Sequence, residues 1–204
     1  MNNNLQLSNL WEQEFGVEYT MRKLKSHKTE KKLREPFWNN LIKMLPDIKS
    51  VLEIGCNAGM NLESISKAKS SLKITGLEPN EYALEQAVTK SKGKYNIIKG
   101  DIFDLQSELA ADLVFTCTVL IHIAPQDLYK GMSQIFNSSN KYILSLEYYW
   151  PTLKEIEYRG QRNALWKQDF GALWIKNHNV NLIETGYLDA REGFDRLTWW
   201  LFEK

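Results

Sequence analysis

Three acidic residues stand at the ends of short apolar runs. Glu53 lies within Val51-Leu-Glu-Ile54, Glu78 follows Leu72-Lys-Ile-Thr-Gly-Leu77, and Asp101 follows Tyr95-Asn-Ile-Ile98-Lys-Gly100. Carboxylates at the C-terminal edge of a parallel sheet accept hydrogen bonds from hydroxyl and amino groups, the polar handles of a nucleoside. Gly55 and Gly59 follow the first acid at a spacing that permits a sharp turn and then a helix passing close to the sheet. A helix N-terminus at residues 58–62 would aim free N–H groups into the crevice. Glu78 comes roughly twenty residues beyond Gly55, where a doubly wound fold chelates ribose hydroxyls. Asp101 suits an adenine amino group, with Ile102 packed on the ring. Gly-x-x-x-Gly alone also describes an ordinary strand–helix turn, so the acids carry this reading.

Two further groups suit proton transfer. His122 ends Thr116-Cys-Thr-Val-Leu-Ile-His122, a strand running into a loop, and an unperturbed imidazole makes a general base near neutral pH. Glu147 ends the next strand and is followed by Tyr148 and Tyr149. Residues 152–170 read as an irregular loop dense in polar and aromatic side chains, among them Tyr158, Arg159 and Lys167, which suits a polar or anionic acceptor. The basic run from Arg22 to Arg34 either attracts a phosphorylated substrate or is a solvated helix face. Cys56 and Cys117 have no metal-type spacing, so they read as small buried residues beside strand ends in a reduced protein, with no metal expected.

These groups need elements to hold them. Apolar runs of strand and helix period alternate five times, and the strands Val180–Leu188 and Leu197–Glu203 follow with no helix between them. The expected fold is α/β: a doubly wound, seven-stranded, mostly parallel sheet with a C-terminal antiparallel strand. Trp199 and Trp200 point to opposite faces, so at most one is expected in the core. Before the sheet, Trp11, Phe15 and Tyr19 share a helical stripe, and residues 8–45 read as helical with Pro36 opening a second helix. The expected division is an N-terminal helical cap, 1–47, and a cofactor-binding domain, 48–204. The chain has 204 residues and a formal net charge of +1, which offers no field for nucleic acid or an anionic membrane. No run is long enough to span a bilayer, and Met1-Asn-Asn-Asn-Leu5 lacks a signal-peptide pattern, so a cytoplasmic location without membrane insertion is expected.

With Glu53, Gly55, Gly59, Glu78 and Asp101 at successive strand ends and a closing strand pair, residues 48–204 resemble the class I S-adenosylmethionine-dependent methyltransferases. The dinucleotide fingerprint G-x-G-x-x-G is absent, because its second and third glycines would fall on Asn57 and Met60. Asn57 also departs from the commonest methyltransferase loop, which has Gly there. A narrower likeness covers nearly the whole chain. Phe15-Gly-x-x-Tyr19-x-x-Arg22, Phe115-Thr-x-x-Val-Leu-Ile-His122-Ile, Glu147-Tyr-Tyr, Tyr158-Arg-Gly160, Leu165-x-Lys167-x-Asp169-Phe and Leu197-Thr-Trp-Trp-Leu-x-Glu-Lys204 are similar to the pseudaminic acid biosynthesis-associated methylase family. Cys117 stands where that family has Lys. The resemblance implies S-adenosyl-L-methionine as cofactor. It would place Glu78 and Pro79 at the ribose, Asp101 and Ile102 at the adenine, and Glu53, Gly55, Asn57, Gly59, Asn61 and Leu62 at the methionine part. Tyr19 and Arg22 would bind the carboxylate, with Thr116 and Cys117 bordering the reacting end. His122 and Glu147 would be catalytic, and Tyr148, Tyr149, Tyr158, Arg159 and Lys167 would hold a small-molecule acceptor, a sugar or phosphorylated surface-glycan precursor. The alternatives are a methyltransferase of another small molecule and a relative that binds the cofactor without transferring its methyl group. The dense polar loop after Glu147 argues for a second substrate.

Overall fold

A computed structural model of the protein describes residues 10–105 and 107–204. The expected helical start at residues 8 and 9 and the Met1–Leu5 segment lie outside them. A long helix, α1 (Glu14–Met44), leads into β1 (Ser50–Ile54), α2 (Met60–Ala68), β2 (Lys73–Glu78), α3 (Glu81–Ser91) and β3 (Asn96–Lys99). Then come β4 (Ala111–Cys117), α4 (Pro125–Ser138), β5 (Ser139–Glu147), a short ribbon of β6 (Lys154–Glu155) and β7 (Trp166–Lys167), α5 (Phe170–Asn177), β8 (Asn181–Leu188) and β9 (Leu197–Glu203). Seven of these strands form one sheet in the order β3-β2-β1-β4-β5-β9-β8. β1 runs parallel to both β2 and β4, and β9 runs antiparallel to both β5 and β8. From β1 the chain winds outward first to one side and then, through β4, to the other. The crevice above the C-terminal ends of β1 and β4 is therefore the switch point where ligands bind in such sheets.

Both faces of the sheet are covered. One core layer holds Trp38, Leu62, Phe115, Leu144 and Trp199, and the other holds Leu52, Val114, Ile143, Trp174 and Trp200. The expectation that only one of Trp199 and Trp200 would be buried is corrected: they do point to opposite faces, but each face has its own core, so both are buried.

α1 also differs from the expected pair of helices. It runs unbroken for 31 residues with Pro36 inside it. An interior proline removes a backbone hydrogen bond and costs about 3 kcal/mol or more. Here buried side chains on both sides of it hold the helix to the domain, Arg34 before and Trp38, Leu41 and Ile42 after. The basic run is not uniformly solvated. His27 and Arg34 are buried and Lys25, Lys28 and Lys32 are exposed. Lys23 pairs with Asp195 at 3.1 Å, and Lys31 and His27 both meet Glu63. The inward set repeats every three or four residues, which is one helix face.

Residues 152–170, expected to be irregular, contain the β6–β7 ribbon. Lys154 and Lys167 are direct cross-strand partners in it. Each ammonium lies over an aromatic ring, Lys154 over Trp150 at 4.4 Å and Lys167 over Tyr148 at 5.0 Å.

Candidate functional site

The loop after β1 is a run of left-handed backbone. Gly55, Asn57 and Gly59 have φ of 71°, 46° and 75°. A Cβ on Gly55 would sit 2.6 Å from Val119 Cγ2, so only glycine fits there. Asn57 tolerates the conformation as few side chains do, and it adds a contact that glycine lacks. Its Nδ2 donates to Thr20 Oγ1 at 2.7 Å, and Thr20 Oγ1 donates to Gly16 O at 2.9 Å, which ties the loop to α1. Gly59 precedes α2, with the Tyr95 ring packed against it.

Glu78, at the end of β2, accepts from Asn57 N at 2.7 Å through Oε2 and from Asn80 N at 2.9 Å through Oε1. Each oxygen keeps lone-pair capacity for another donor. Asn80 caps α3 by accepting from Ala83 N at 3.0 Å, and its Nδ2 donates to the carbonyls of Trp11, Glu12 and Gln13. The segment leading into α1 is thereby fastened beside Glu78.

Below α1 lies a cleft with an empty volume, mouth included, of ≈ 1320 Å³. Glu53, loop 55–58, Asn61, Glu78, Pro79, Asp101 and Ile102 form one wall. Cys117, Thr118, Val119 and His122 border its β4 side, Trp11, Tyr19, Lys23, His27 and Arg34 come from the N-terminal segment and α1, and Asp195 and Leu197 come from the approach to β9. The structure thus brings together the three strand-end acids, the glycine loop, Tyr19, Cys117 and His122.

Other expected site residues fall elsewhere. Leu62 is fully buried in the core. Thr116 points to Glu147, donating to its Oε1 at 2.8 Å. Glu147 is not placed to act as a base. It is fully buried, does not line the cleft, and accepts from Val119 N, Leu120 N and Ile121 N as well, so it anchors the loop after β4. Arg22 pairs with Glu18 and lies over the Tyr19 ring, outside the cleft lining. Tyr148, Tyr149, Tyr158, Arg159 and Lys167 do not line the cleft either. Tyr158 packs on His122 and Phe15 just behind it, with Arg159 over its outer ring, and Tyr149 is exposed beside Trp200. Lys23, Arg34, Asp195 and Trp11 were not named individually as site residues from the sequence, yet they line the cleft. The three-and-four spacing within 22–34 could have found the first two. Asp195 carries no pattern.

Burial sets the electrostatics. It pushes the Glu53 carboxyl up to about 8 and the Glu78 and Glu147 carboxyls up to about 7. Burial also lowers His122 to about 4. Its Nδ1 meets Ala164 O at 2.6 Å, which requires the proton on Nδ1 and leaves Nε2 as the acceptor. An acid whose folded pKa is raised stabilises the fold fully below its unfolded pKa and loses that contribution as pH rises through the folded value. Above about pH 6.5 the histidines are mostly neutral in both states. The ligand-free protein should therefore lose melting temperature as pH rises from about 6.5 to 8.5. Thermal melts across that window check it, and a rising Tm would contradict it.

Residues 51–141 match the methyltransferase-domain family. The solved structure of magnesium protoporphyrin IX methyltransferase from Synechocystis PCC 6803, with bound SAH, superposes with a TM-score of 0.75 at 12% identity, over 98% of this chain and 99% of that one. This is the class I methyltransferase fold. The same fold is found in the Burkholderia thailandensis 1,6-didemethyltoxoflavin-N1-methyltransferase with bound 1,6-didemethyltoxoflavin and S-adenosylhomocysteine (TM-score 0.72, 12% identity, 95% of this chain and 90% of that one). The plantazolicin methyltransferase BpumL in complex with SAH shares it too (TM-score 0.68, 17% identity, 97% and 94%). No curated protein matches the chain significantly. In this methyltransferase fold the cleft occupies the switch point, and among the described residues no helix is long and apolar enough to cross a membrane.

Proposed function

We propose that the chain is an S-adenosylmethionine-dependent methyltransferase acting on a small molecule. One observation carries this: Glu53, Glu78 and Asp101 line a single cleft around the left-handed loop 55–59. Their chemistry fits the cofactor's polar groups. Glu53 has a buried Oε2 with no hydrogen-bond partner, which suits the α-amino group. Glu78 suits the ribose hydroxyls, with Asp101 and Ile102 at the adenine. Lys23 lines the same cleft and supplies the positive charge that a carboxylate needs, a part expected of Arg22 from the sequence. When bound, the sulfonium supplies the methyl group and leaves as a neutral thioether.

The protein's share is then positioning and exclusion of water. α1 covers the cleft, tied down by Asn57–Thr20 and by Asn80. On the β9 side, Asp195 and Tyr19, the latter expected from the sequence at the cofactor's carboxylate, offer carboxylate and hydroxyl contacts, with Tyr148 and Tyr158 behind them. We read this as the acceptor end, suited to a polyhydroxylated sugar or a phosphorylated surface-glycan precursor and to O-methyl transfer. The likeness to the surface-sugar methylase family supports the same reading.

His122 would orient an acceptor hydroxyl through Nε2. Burial leaves it a weak base, so His122→Asn should cost roughly tenfold in turnover, short of the hundredfold or more of general-base catalysis. A larger loss would restore the base role. The assignment itself is tested by transfer of labelled methyl from S-adenosylmethionine to nucleotide-linked sugars and anionic glycan precursors. Transfer to one of them supports it. Tighter binding of NAD than of S-adenosylhomocysteine would overturn it.

A further inference from the structure

Glu53 stands apart among the polar groups of the cleft wall. It is 1% exposed, its Oε1 accepts from Asn61 Nδ2 at 2.7 Å, and its Oε2 has no partner. Asn61 cannot be turned around. Its Oδ1 accepts from Arg34 Nη1 at 2.9 Å and from Trp38 Nε1 at 3.3 Å, so a reversed amide would face two donors with its own N–H groups. Arg34 is itself fixed. It is buried, donates from Nε to Gly193 O at 2.8 Å and from Nη2 to Glu30 Oε2 at 3.3 Å, and lies over the Phe194 ring at 4.4 Å. One line of hydrogen bonds therefore runs from α1 through α2 to the end of β1.

Resting on the cofactor reading above, we propose that Arg34 and Asn61 are positioning residues that aim Glu53 at the α-amino group of the cofactor and so select ligands that carry it. The amide occupies one carboxylate oxygen and leaves the other open to the cleft. The Arg34 charge and the Asn61 donor both favour the ionised carboxylate against the pull of burial. In the free protein, burial keeps Glu53 largely protonated at neutral pH. An arriving ammonium makes a carboxylate–ammonium pair, and the carboxyl proton goes to the buffer. Binding should thus release a further proton when the ligand has the amino group, beyond the share that any ribose-bearing ligand displaces from Glu78.

Calorimetry near pH 7, in two buffers of different ionisation enthalpy, reads both effects. The ligands are S-adenosylhomocysteine, the same thioether with hydrogen in place of the α-amino group, and 5′-methylthioadenosine, which lacks the amino-acid arm. Wild type should prefer S-adenosylhomocysteine over the deaminated ligand by about 30- to 100-fold. It should release roughly 0.9 of a proton more with the first than with the second, since both carry the ribose and displace the Glu78 proton alike. Asn61→Leu and Arg34→Gln should cut the preference below about fivefold while methylthioadenosine binds as to wild type, which also shows that the variants are folded. Arg34→Lys, which keeps the charge, should keep most of the preference. An unchanged preference and proton release in Asn61→Leu and Arg34→Gln would overturn the proposal alone, as would a wild type indifferent to the amino group. If wild type binds neither S-adenosylhomocysteine nor methylthioadenosine, the cofactor reading falls and the proposal with it.

Discussion

Glu78→Ala should weaken S-adenosylhomocysteine binding by about two to four orders of magnitude. Two hydroxyl hydrogen bonds to a charged carboxylate contribute about 1.5–3 kcal/mol each, and the variant loses both. The side chain also holds Asn57 N and Asn80 N, so its removal frees the loop 55–59 as well as the ribose contact. Glu78→Gln tests whether side-chain volume alone suffices. It keeps the volume, but its amide nitrogen must face a backbone N–H, so it should lose nearly as much affinity. The pH dependence gives a second check. Burial holds the Glu78 carboxyl at about 7, and hydroxyl donors favour its ionised form. Affinity should therefore fall as pH drops below about 7 in wild type and become flatter in Glu78→Ala. Titration calorimetry measures both, and wild-type affinity in Glu78→Ala would remove Glu78 from the site.

Trp38→Ala should produce the largest loss of stability. Trp38 is completely buried, packs on Phe115 at 4.9 Å between ring centroids and on Phe37 at 5.1 Å, and donates to Asn61. Truncating a buried tryptophan costs about 3–5 kcal/mol. For a chain of this size that lowers Tm by roughly 6–20 °C. Because Trp38 lies on α1 and Asn61 lines the cleft, the variant should lose cofactor affinity at temperatures where it is still folded. Trp38→Phe should keep most of the packing and lose the hydrogen bond alone. Thermal melting beside calorimetry distinguishes them, and a drop below about 1 kcal/mol for Trp38→Ala would show that α1 is not anchored through this residue.

The seven-stranded sheet was legible because each strand is a short apolar run ended by turn residues or an acid, and because a missing helix between the last two runs forces an antiparallel pair. The acids of the cleft wall were legible for the same reason: Glu53, Glu78 and Asp101 announce themselves by standing at strand ends. What failed depended on contacts between distant segments. Glu147 sits at a strand end like the others, but Thr116 and three backbone N–H groups from residues 119–121 take up its oxygens. Pro36 looked like a helix start because the tertiary anchors on either side of it, Arg34 and Trp38, leave no local trace. Arg22 and Arg34 belong to the same basic run, and only packing decides that Arg34 turns into the cleft while Arg22 pairs along its own helix. Asn57 departs from the commonest loop residue, yet it preserves the left-handed backbone and adds a tie to Thr20.

The most direct test of the central claim is a crystal structure of the protein grown with S-adenosylhomocysteine. The ribose hydroxyls should lie within hydrogen-bonding distance of Glu78, the adenine beside Asp101 and Ile102, and the α-amino group at the open Oε2 of Glu53. A ligand bound away from these three acids, or a cleft that stays empty at saturating ligand, would contradict the account.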